Sequence, residues 1–468
     1  MNGSSFRKGI AWLLCCSLAL FVLSSCSEES VLPENEDIAV LNVVQEKLDI
    51  DKTNLSVSDA IIVAKLSKSK LTRSFSDKEV QDVEPIYDEE GEPAIYAVNF
   101  EDGYMLISAT RNYYPVLAVV DHGRYEHGSQ LDASRIIVND LIESVKAAKD
   151  GNIKQSYGCL WSKYIECESS NAVQRKSRSD EDEYWNVFND WYADVSSRNN
   201  AVVRKLTNCK NILPDNVYQS FVRRASDEDL WEGTQYSWQN TAYVVEETIE
   251  NVNTIGPLLT TKWGQSGNFN TTQYEFLGCV TVAVGQLMRY YQKPNTIQWS
   301  DMPDTYGNKT LTDFLAALRV QLKVSEAGGS NINNAESVLK SYGYSIDKID
   351  HNATRIYSSL NQRKPVYAQG MDELGGDGHA WVIDGVYHSE TIIRYTLYRL
   401  SDAWYPQFKY VTADGGVSEQ YSDVVTYHMN WGWGGYKDGW FIDQRPWIIV
   451  DGQYKYKYSK DRKEIIFK

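Results

Sequence analysis

Four segments in the C-terminal half carry residue types that can transfer an acyl group. Cys279 follows Gly278 and opens the amphipathic run FLGCVTVAVGQLMRYY (276–291), which Pro294 closes. A thiol there lies at a helix N-terminus, where unpaired N–H groups and the helix dipole favour an anion. The position therefore predicts a lowered pKa and a thiolate nucleophile. The same residue also fits a small buried core side chain, and the other segments decide between the two. A nucleophilic cysteine needs a base within hydrogen-bond reach. His379 directly follows the glycine loop GGDG (375–378) and precedes the strand pattern AWVI (380–383). His351 and His388 lie in polar stretches and read as surface residues, and His428 reads as a satisfied buried histidine. Strand alternation puts His379, Trp381 and Ile383 on one face and Asp384 on the other, so Asp384, before Gly385, reads as a turn residue. Asn430 in HMNWGWGG (428–435) is the candidate orienter of the imidazole: its oxygen can accept from one ring nitrogen while the other faces the thiol. Trp431 beside it can shield that bond from water; the run also fits an aromatic strand with turn glycines. Acyl transfer further needs an oxyanion hole. The Cys279 N–H is one donor, and Gln265 in LLTTKWGQSGNFN (258–270) is the candidate side-chain amide, although taken alone it also fits a surface glutamine.

These residues need a chain that can hold them. The 468 residues suggest two or three domains, and 42% hydrophobic residues can build their cores. A formal net charge of −16 argues against a nucleic-acid partner, which needs a basic face. The 14 Trp and 32 Tyr fit a sheet-containing extracytoplasmic protein. Of seven cysteines, Cys279 alone lies in 252–468, so it has no local disulfide partner. No CxxC pair and no zinc-type Cys/His spacing occurs, and the pairing of Cys159, Cys167 and Cys209 stays open.

The chain opens on Arg7, Lys8 and an apolar run (10–23) of signal-peptide length. Leu23-Ser24-Ser25-Cys26 resembles a bacterial lipoprotein processing site, which implies cleavage before Cys26 and lipidation of its thiol. Ser27-Glu28-Glu29-Ser30 resembles a surface-export signal. The expected location is extracytoplasmic, anchored by lipid to the bacterial outer membrane, surface-exposed or released after processing. After a tether (26–36), Ser58 and Asp59 can cap a helix through Leu66. A hairpin follows (94–100 and 104–109, turning at Glu101-Asp102-Gly103), then a strand (116–120) and a helix (132–149) stopped by Gly151. Residues 37–151 thus read as a small α+β domain. The polar runs around Arg175, Lys176 and Arg178 and around Arg223 and Arg224 read as exposed loops open to proteases. Between them, 183–204 reads as helical. From about Val252 short strands, glycine turns and Trp dominate, ending in a closing strand or hairpin (454–468).

PLLTTKWGQ (257–265), GCVTVAVGQLMRYY (278–291), GHAWVIDG (378–385) and NWGWGG with DGWF (430–441), in that order, resemble the streptopain family of papain-like cysteine peptidases. The resemblance spans 254 to about 443. It implies an α+β, papain-like two-lobed fold, with a helical lobe and an antiparallel sheet lobe, acting as an endopeptidase on protein or peptide substrates. Cys279 would be the nucleophile, His379 the general base and acid, Gln265 the oxyanion donor, and Asn430 with Trp431 the orienter and shield. No metal or organic cofactor is implied, and an apolar residue two before the cleaved bond is preferred. More distantly, 94–123 resembles the family's inhibitory propeptide. This implies a zymogen in which 37–151 blocks a peptidase domain at 252–468. An activating protease could then cut at Arg175, Lys176, Arg178, Arg223 or Arg224. Two departures stand out: an insertion (152–251) of unassigned role, and a second one (387–427) between His379 and Asn430, expected at the active-site rim. The competing function is a catalytically silent surface lipoprotein, an adhesin or peptidase inhibitor on the same scaffold.

Overall fold

The N-terminal patterns become the first strands of an antiparallel sheet. A computed structural model describes residues 48–49, 52–71, 77–126, 135–153, 157–165, 180–198, 200–227, 237–371, 378–401, 407–410, 416–442, 448–450, 453–455 and 462–468. The leader, Cys26, and the loop with Arg175, Lys176 and Arg178 lie outside the described residues. Helix α1 (Val57–Leu71) is capped by Ser56 rather than Ser58: the Ser56 N–H donates to Asp59 Oδ2 at 2.7 Å, and its hydroxyl donates to the same oxygen at 2.6 Å. Strands β1 (Val80–Tyr87), β2 (Pro93–Phe100), β3 (Tyr104–Ser108) and β4 (Val116–Val120) follow as a meander, with Gly103 turning β2 into β3 at φ +94°. Helix α2 (Arg135–Lys149) buries Ile137, Leu141, Val145 and Ala148, as its spacing requires.

The next stretch contributes α3 (Gly158–Trp161), α4 (Asp180–Ser196), β5 (Ala201–Lys205), α5 (Asp215–Ala225), α6 (Trp238–Thr241) and β6 (Ala242–Ile255). Arg223 and Arg224 are not in a loop. They form the last turn of α5, which buried Phe221 and Ala225 hold down, and Arg224 pairs with Asp227 at 3.8 Å.

Beyond residue 255 the expectation of short strands is corrected. Helices α7 (Cys279–Tyr291), α8 (Lys309–Gln321), α9 (Ile332–Ser341) and α10 (Ala353–Asn361) are the main elements of the stretch to residue 361, with β7 (Ile346–Asp350) between the last two. Leu311, Leu315 and Leu318, and then Ile332, Ala335, Val338 and Leu339, recur at helical spacing and are buried. Strands β8 (Val366–Met371), β9 (Gly378–Ser401), β10 (Gln407–Tyr410), β11 (Val417–Asn430) and β12 (Gly439–Ile442) follow, then the hairpin β13 (Ile448–Val450) and β14 (Gln453–Lys455), and the closing strand β15 (Lys463–Phe467).

One sheet runs in the order β1-β2-β3-β4-β12-β11-β9-β8-β15-β7, with β6 and β10 also on β9 and β5 on β6. The architecture is α+β: helices gathered between Cys279 and Asn361, antiparallel strands around them. Helix α7 packs on β9 and sets the helical side against the sheet side. The N-terminal meander joins the C-terminal strands through β4 and β12, with Val120 opposite Gly439 and Val119 opposite Trp440. The approach is close: a Cβ on Gly439 would stand 2.5 Å from the Val119 carbonyl oxygen.

The insertion between His379 and Asn430 does not sit at the rim of the site. It lengthens β9 and β11 into a hairpin that β6 flanks, with Val386 opposite Ile255 and Arg399 opposite Ala242. At the rise of a strand, Ser401 at the end of β9 lies on the order of 70 Å along the strand from His379. Among the described residues no helix is long and apolar enough to cross a membrane.

Candidate active site

Cys279 is the first residue of α7, and Gly278 before it has φ +82°. Only glycine fits there: a Cβ would stand 2.4 Å from the Gly328 carbonyl oxygen. Buried Arg319 holds that approach. Its guanidinium donates to the carbonyls of Phe276 (3.2 Å), Val324 (3.3 Å) and Ser325 (2.6 Å), tying the 324–325 backbone to the segment before the thiol. The sequence placed Cys279 at a helix N-terminus correctly, but the expected direction of its pKa is reversed. Burial pushes the thiol up, and the N–H groups of Ala380, Val280 and Cys279 itself only offset this. The Ala380 contact sets the sulfur beside the start of β9, next to His379.

His379 is half-buried, and its Nε2 lies 3.0 Å from the Trp431 carbonyl oxygen. A carbonyl only accepts, so Nε2 carries the hydrogen and Nδ1 is left as the basic nitrogen. Three indoles wall the ring: Trp381 nearly parallel at 6.3 Å, Trp431 at 6.2 Å and Trp433 at 6.1 Å between centroids. Trp431, expected as a shield, is buried against the His379 ring. The acceptor at Nε2, however, is the Trp431 main chain. The Asn430 side chain is engaged elsewhere: its Oδ1 accepts from Gln286 Nε2 (2.9 Å) and the Gly432 N–H (3.2 Å), and its Nδ2 donates to the Thr261 carbonyl (2.9 Å).

Gln265 is buried and belongs to a segment held from four sides. Leu259 N–H donates to Asp384 Oδ2 (3.1 Å), Trp263 N–H to Gln286 Oε1 (3.2 Å), Asn430 to Thr261, and Gly434 N–H to the Trp263 carbonyl (3.2 Å). The Gln265 carbonyl in turn accepts from Leu277 N–H at 2.8 Å, two residues before Cys279. The structure thus sets the Cys279 sulfur against the backbone of Ala380, the residue after His379, brings His379 and Trp431 together, and ties the Gln265 segment to the chain entering α7.

A second polar cluster lies behind this one. His428 is buried, with Nδ1 2.6 Å from Asp384 Oδ1. Burial works against its charged form, but the Asp384 carboxylate outweighs burial and holds the imidazole above its ordinary value. Asp384 is therefore no turn residue; it is buried inside β9 and serves His428 and the Leu259 N–H. Asp438 accepts from Trp431 N–H at 2.8 Å, and burial pushes its carboxyl up to about 7. His351 and His388 are corrected as well. His351 pairs with buried Glu464 at 2.8 Å, and His388 bridges Asp423 (2.6 Å) and the Tyr357 hydroxyl (3.0 Å). Gln286 and Arg319 give the sequence only the signal of a polar side chain on an otherwise apolar helix face, and Asp438 gives only that of a turn residue before β12. Among the described residues no His, Cys, Asp and Glu group is set to hold a metal ion.

Residues 295–441 match the Peptidase C10 family, a span that takes in His379, Asn430 and Trp431 and begins after Cys279. Streptopain of Streptococcus pyogenes is 23% identical over 219 residues, 36% of this chain and 46% of its own length. The thiol protease/hemagglutinin PrtT of Porphyromonas gingivalis is 24% identical over 258 residues, 44% of this chain and 26% of its own length. The chain thus spans about half the length of the streptopains it matches, and a quarter of PrtT. Among solved structures, a fragment of Prevotella intermedia prointerpain A aligns over 83% of this chain and 98% of its own, at 16% identity and a TM-score of 0.41. Active interpain A from the same organism aligns over 45% and 94%, at 18% identity and a TM-score of 0.30.

Proposed function

From the premise that this chain carries a streptopain-type region of the peptidase C10 family, we propose that it is a cysteine endopeptidase made as a zymogen. The observation that carries this is the Cys279–His379 arrangement. The sulfur sits at the mouth of α7 against the N–H of Ala380, the residue after His379, and the His379 ring has Nε2 committed to the Trp431 carbonyl; we assign Nδ1 as the base. His379 Nδ1 takes the proton from Sγ. The thiolate attacks the peptide carbonyl, and the oxyanion forms between the Cys279 N–H and the Gln265 amide. His379 then protonates the leaving amine and activates the water that releases the acyl group. Asn430 and Trp431 hold the base, with Asn430 setting the turn whose carbonyl meets the ring.

The zymogen reading rests on the N-terminal meander. Its strand β4 pairs with β12, and the His122 carbonyl accepts from Lys437 N–H at 3.1 Å on the turn just beyond Trp431. We assign 37–151 as the inhibitory partner, 152–251 as the processing segment and 252–468 as the peptidase. Cleavage near Arg175, Lys176 and Arg178 needs only an exposed chain, whereas cleavage at Arg223 or Arg224 needs the end of α5 to unwind. Lipid attachment at Cys26, a membrane-anchored outer-surface location and an activating protease complete the proposal.

The test is hydrolysis of a fluorescent peptide library under reducing conditions, before and after trypsin. Wild type should cleave, more strongly after trypsin. Cys279→Ala should cleave nothing while staying folded. Gln265→Ala should lose about 10²–10³-fold in turnover yet keep its reaction with a thiol-directed label. A wild type silent in both states leaves the adhesin or inhibitor reading in place.

A further inference from the structure

We infer that Gln286 is a positioning residue for the His379 base, acting through Asn430. This rests on the peptidase reading for its meaning and on geometry alone for its content. Gln286 is seven residues after Cys279 on the same helix and fully buried on a face lined with Val282, Ala283 and Leu287. An amide there is costly unless its hydrogen bonds are made.

The orientations of both amides are fixed by backbone groups. Trp263 N–H can only donate, so the atom 3.2 Å away is Gln286 Oε1. Gln286 Nε2 therefore faces Asn430. The Thr261 carbonyl can only accept, so the atom 2.9 Å away is Asn430 Nδ2, and Oδ1 faces Gln286 and the Gly432 N–H. Reversing either amide would set like dipoles against each other at several contacts. Gln286 thus joins three segments at one point: the helix of the nucleophile, the 261–263 stretch leading to Gln265, and the Asn430–Gly432 turn. That turn carries the Trp431 carbonyl, the group that commits Nε2. Thiol helix and base are registered to each other through this one amide. Misplacing a catalytic group by about 1 Å can cost on the order of 100-fold in rate.

The experiment uses the full chain with nitrogen-15 histidine labelling. The His379 signal is assigned by its loss in His379→Ala, and Gln286→Met serves as a variant of similar volume without hydrogen-bonding groups. The wild-type ring should show a protonated Nε2 and an unprotonated Nδ1 near pH 8. Gln286→Met should shift this signal or mix the tautomers, while the His351 and His388 signals stay in place. On trypsin-treated protein, kcat should fall about 10- to 100-fold with KM changed less than about twofold. Gln286→Met combined with Asn430→Ala should be no worse than Asn430→Ala alone, because both act along one path. An unmoved His379 signal in Gln286→Met, or kcat losses that multiply in the double variant, would overturn the inference. If Gln286→Met does not fold, Gln286→Glu keeps the volume and the acceptor for Trp263 but loses the donor, and is read the same way. A wild type that hydrolyses no peptide defeats the peptidase reading, and the NMR arm still decides the role of Gln286.

Discussion

His379 and His428 stand on neighbouring strands of one sheet, and their partners differ in charge. His428 meets the Asp384 carboxylate at 2.6 Å and is buried; His379 meets a main-chain carbonyl at 3.0 Å and is half-buried beside a thiol. A carboxylate stabilises the imidazolium and locks the ring into an ion pair. A carbonyl fixes the tautomer without adding charge, so the ring can still take and give a proton. The first arrangement suits a structural histidine and the second a base. Two imidazoles on adjacent strands are thus separated by what one ring nitrogen meets, a carboxylate or a main-chain carbonyl.

The largest expected effect comes from exchanging the roles by mutation. His379→Ala should lower kcat by about 10⁴–10⁶-fold while the urea midpoint stays near wild type. His428→Ala should do the reverse: it strands the buried Asp384 carboxylate and should cost roughly 3–5 kcal/mol of stability, with turnover per folded molecule little changed. Loss of turnover without loss of stability in His428→Ala would erase the contrast. Next is pH. Asp438, pushed up to about 7 by burial, and His428, held above its ordinary value by Asp384, both bind protons more tightly in the folded chain than in the unfolded one. Their contribution to stability is therefore complete on the acid side. It fades as pH rises, for Asp438 between its ordinary carboxyl range and about 7, and for His428 from its ordinary value upward. Urea midpoints at constant ionic strength should fall between pH 5.5 and 8, and Asp438→Asn should flatten that fall. A wild-type midpoint that rises over this range would contradict the shared sign. The smallest effect is expected at the indole wall. Trp381→Phe keeps an apolar face against His379 but loses the Nε1 contact to Met429 Sδ at 3.2 Å, and should change kcat by less than about threefold.

The helix start at Cys279 and the strand start at His379 were legible because their signals are local. A glycine before an amphipathic run marks Cys279, and a glycine loop before a strand marks His379. What surrounds them was not local. Gln286 reads as one polar position on an apolar helix, and its partner Asn430 is 144 residues away. Asp438 reads as a turn residue in KDGW until β12 closes over it. The direction of the Cys279 shift was missed for a related reason: the helix end is visible in sequence, but the burial that overrides it comes from segments about Gly328 and Ala380. Strands β2, β3 and β4 of the N-terminal meander are legible as apolar, β-rich runs around the Gly103 turn. Its half-exposed β1 escaped because VQDVEPIY lacks a clean period. The helices between 309 and 361 did show helical spacing, but abundant glycine and Trp drew the reading toward strands.

The seam between β4 and β12 has a kinetic consequence. While β4 is seated, the backbone groups of β12 that face it, those of every second residue, are paired across the seam and are slow to trade hydrogen with solvent, the others being turned toward β11. If β4 departs, as the proposed activation requires, those groups become a bare sheet edge. Deuterium uptake at 439–441 is then a clock for the N-terminal part, started by its departure and readable with no substrate present. Because Gly439 has no side chain to stand between the strands, any chain that leaves this seam can reseat as closely as before.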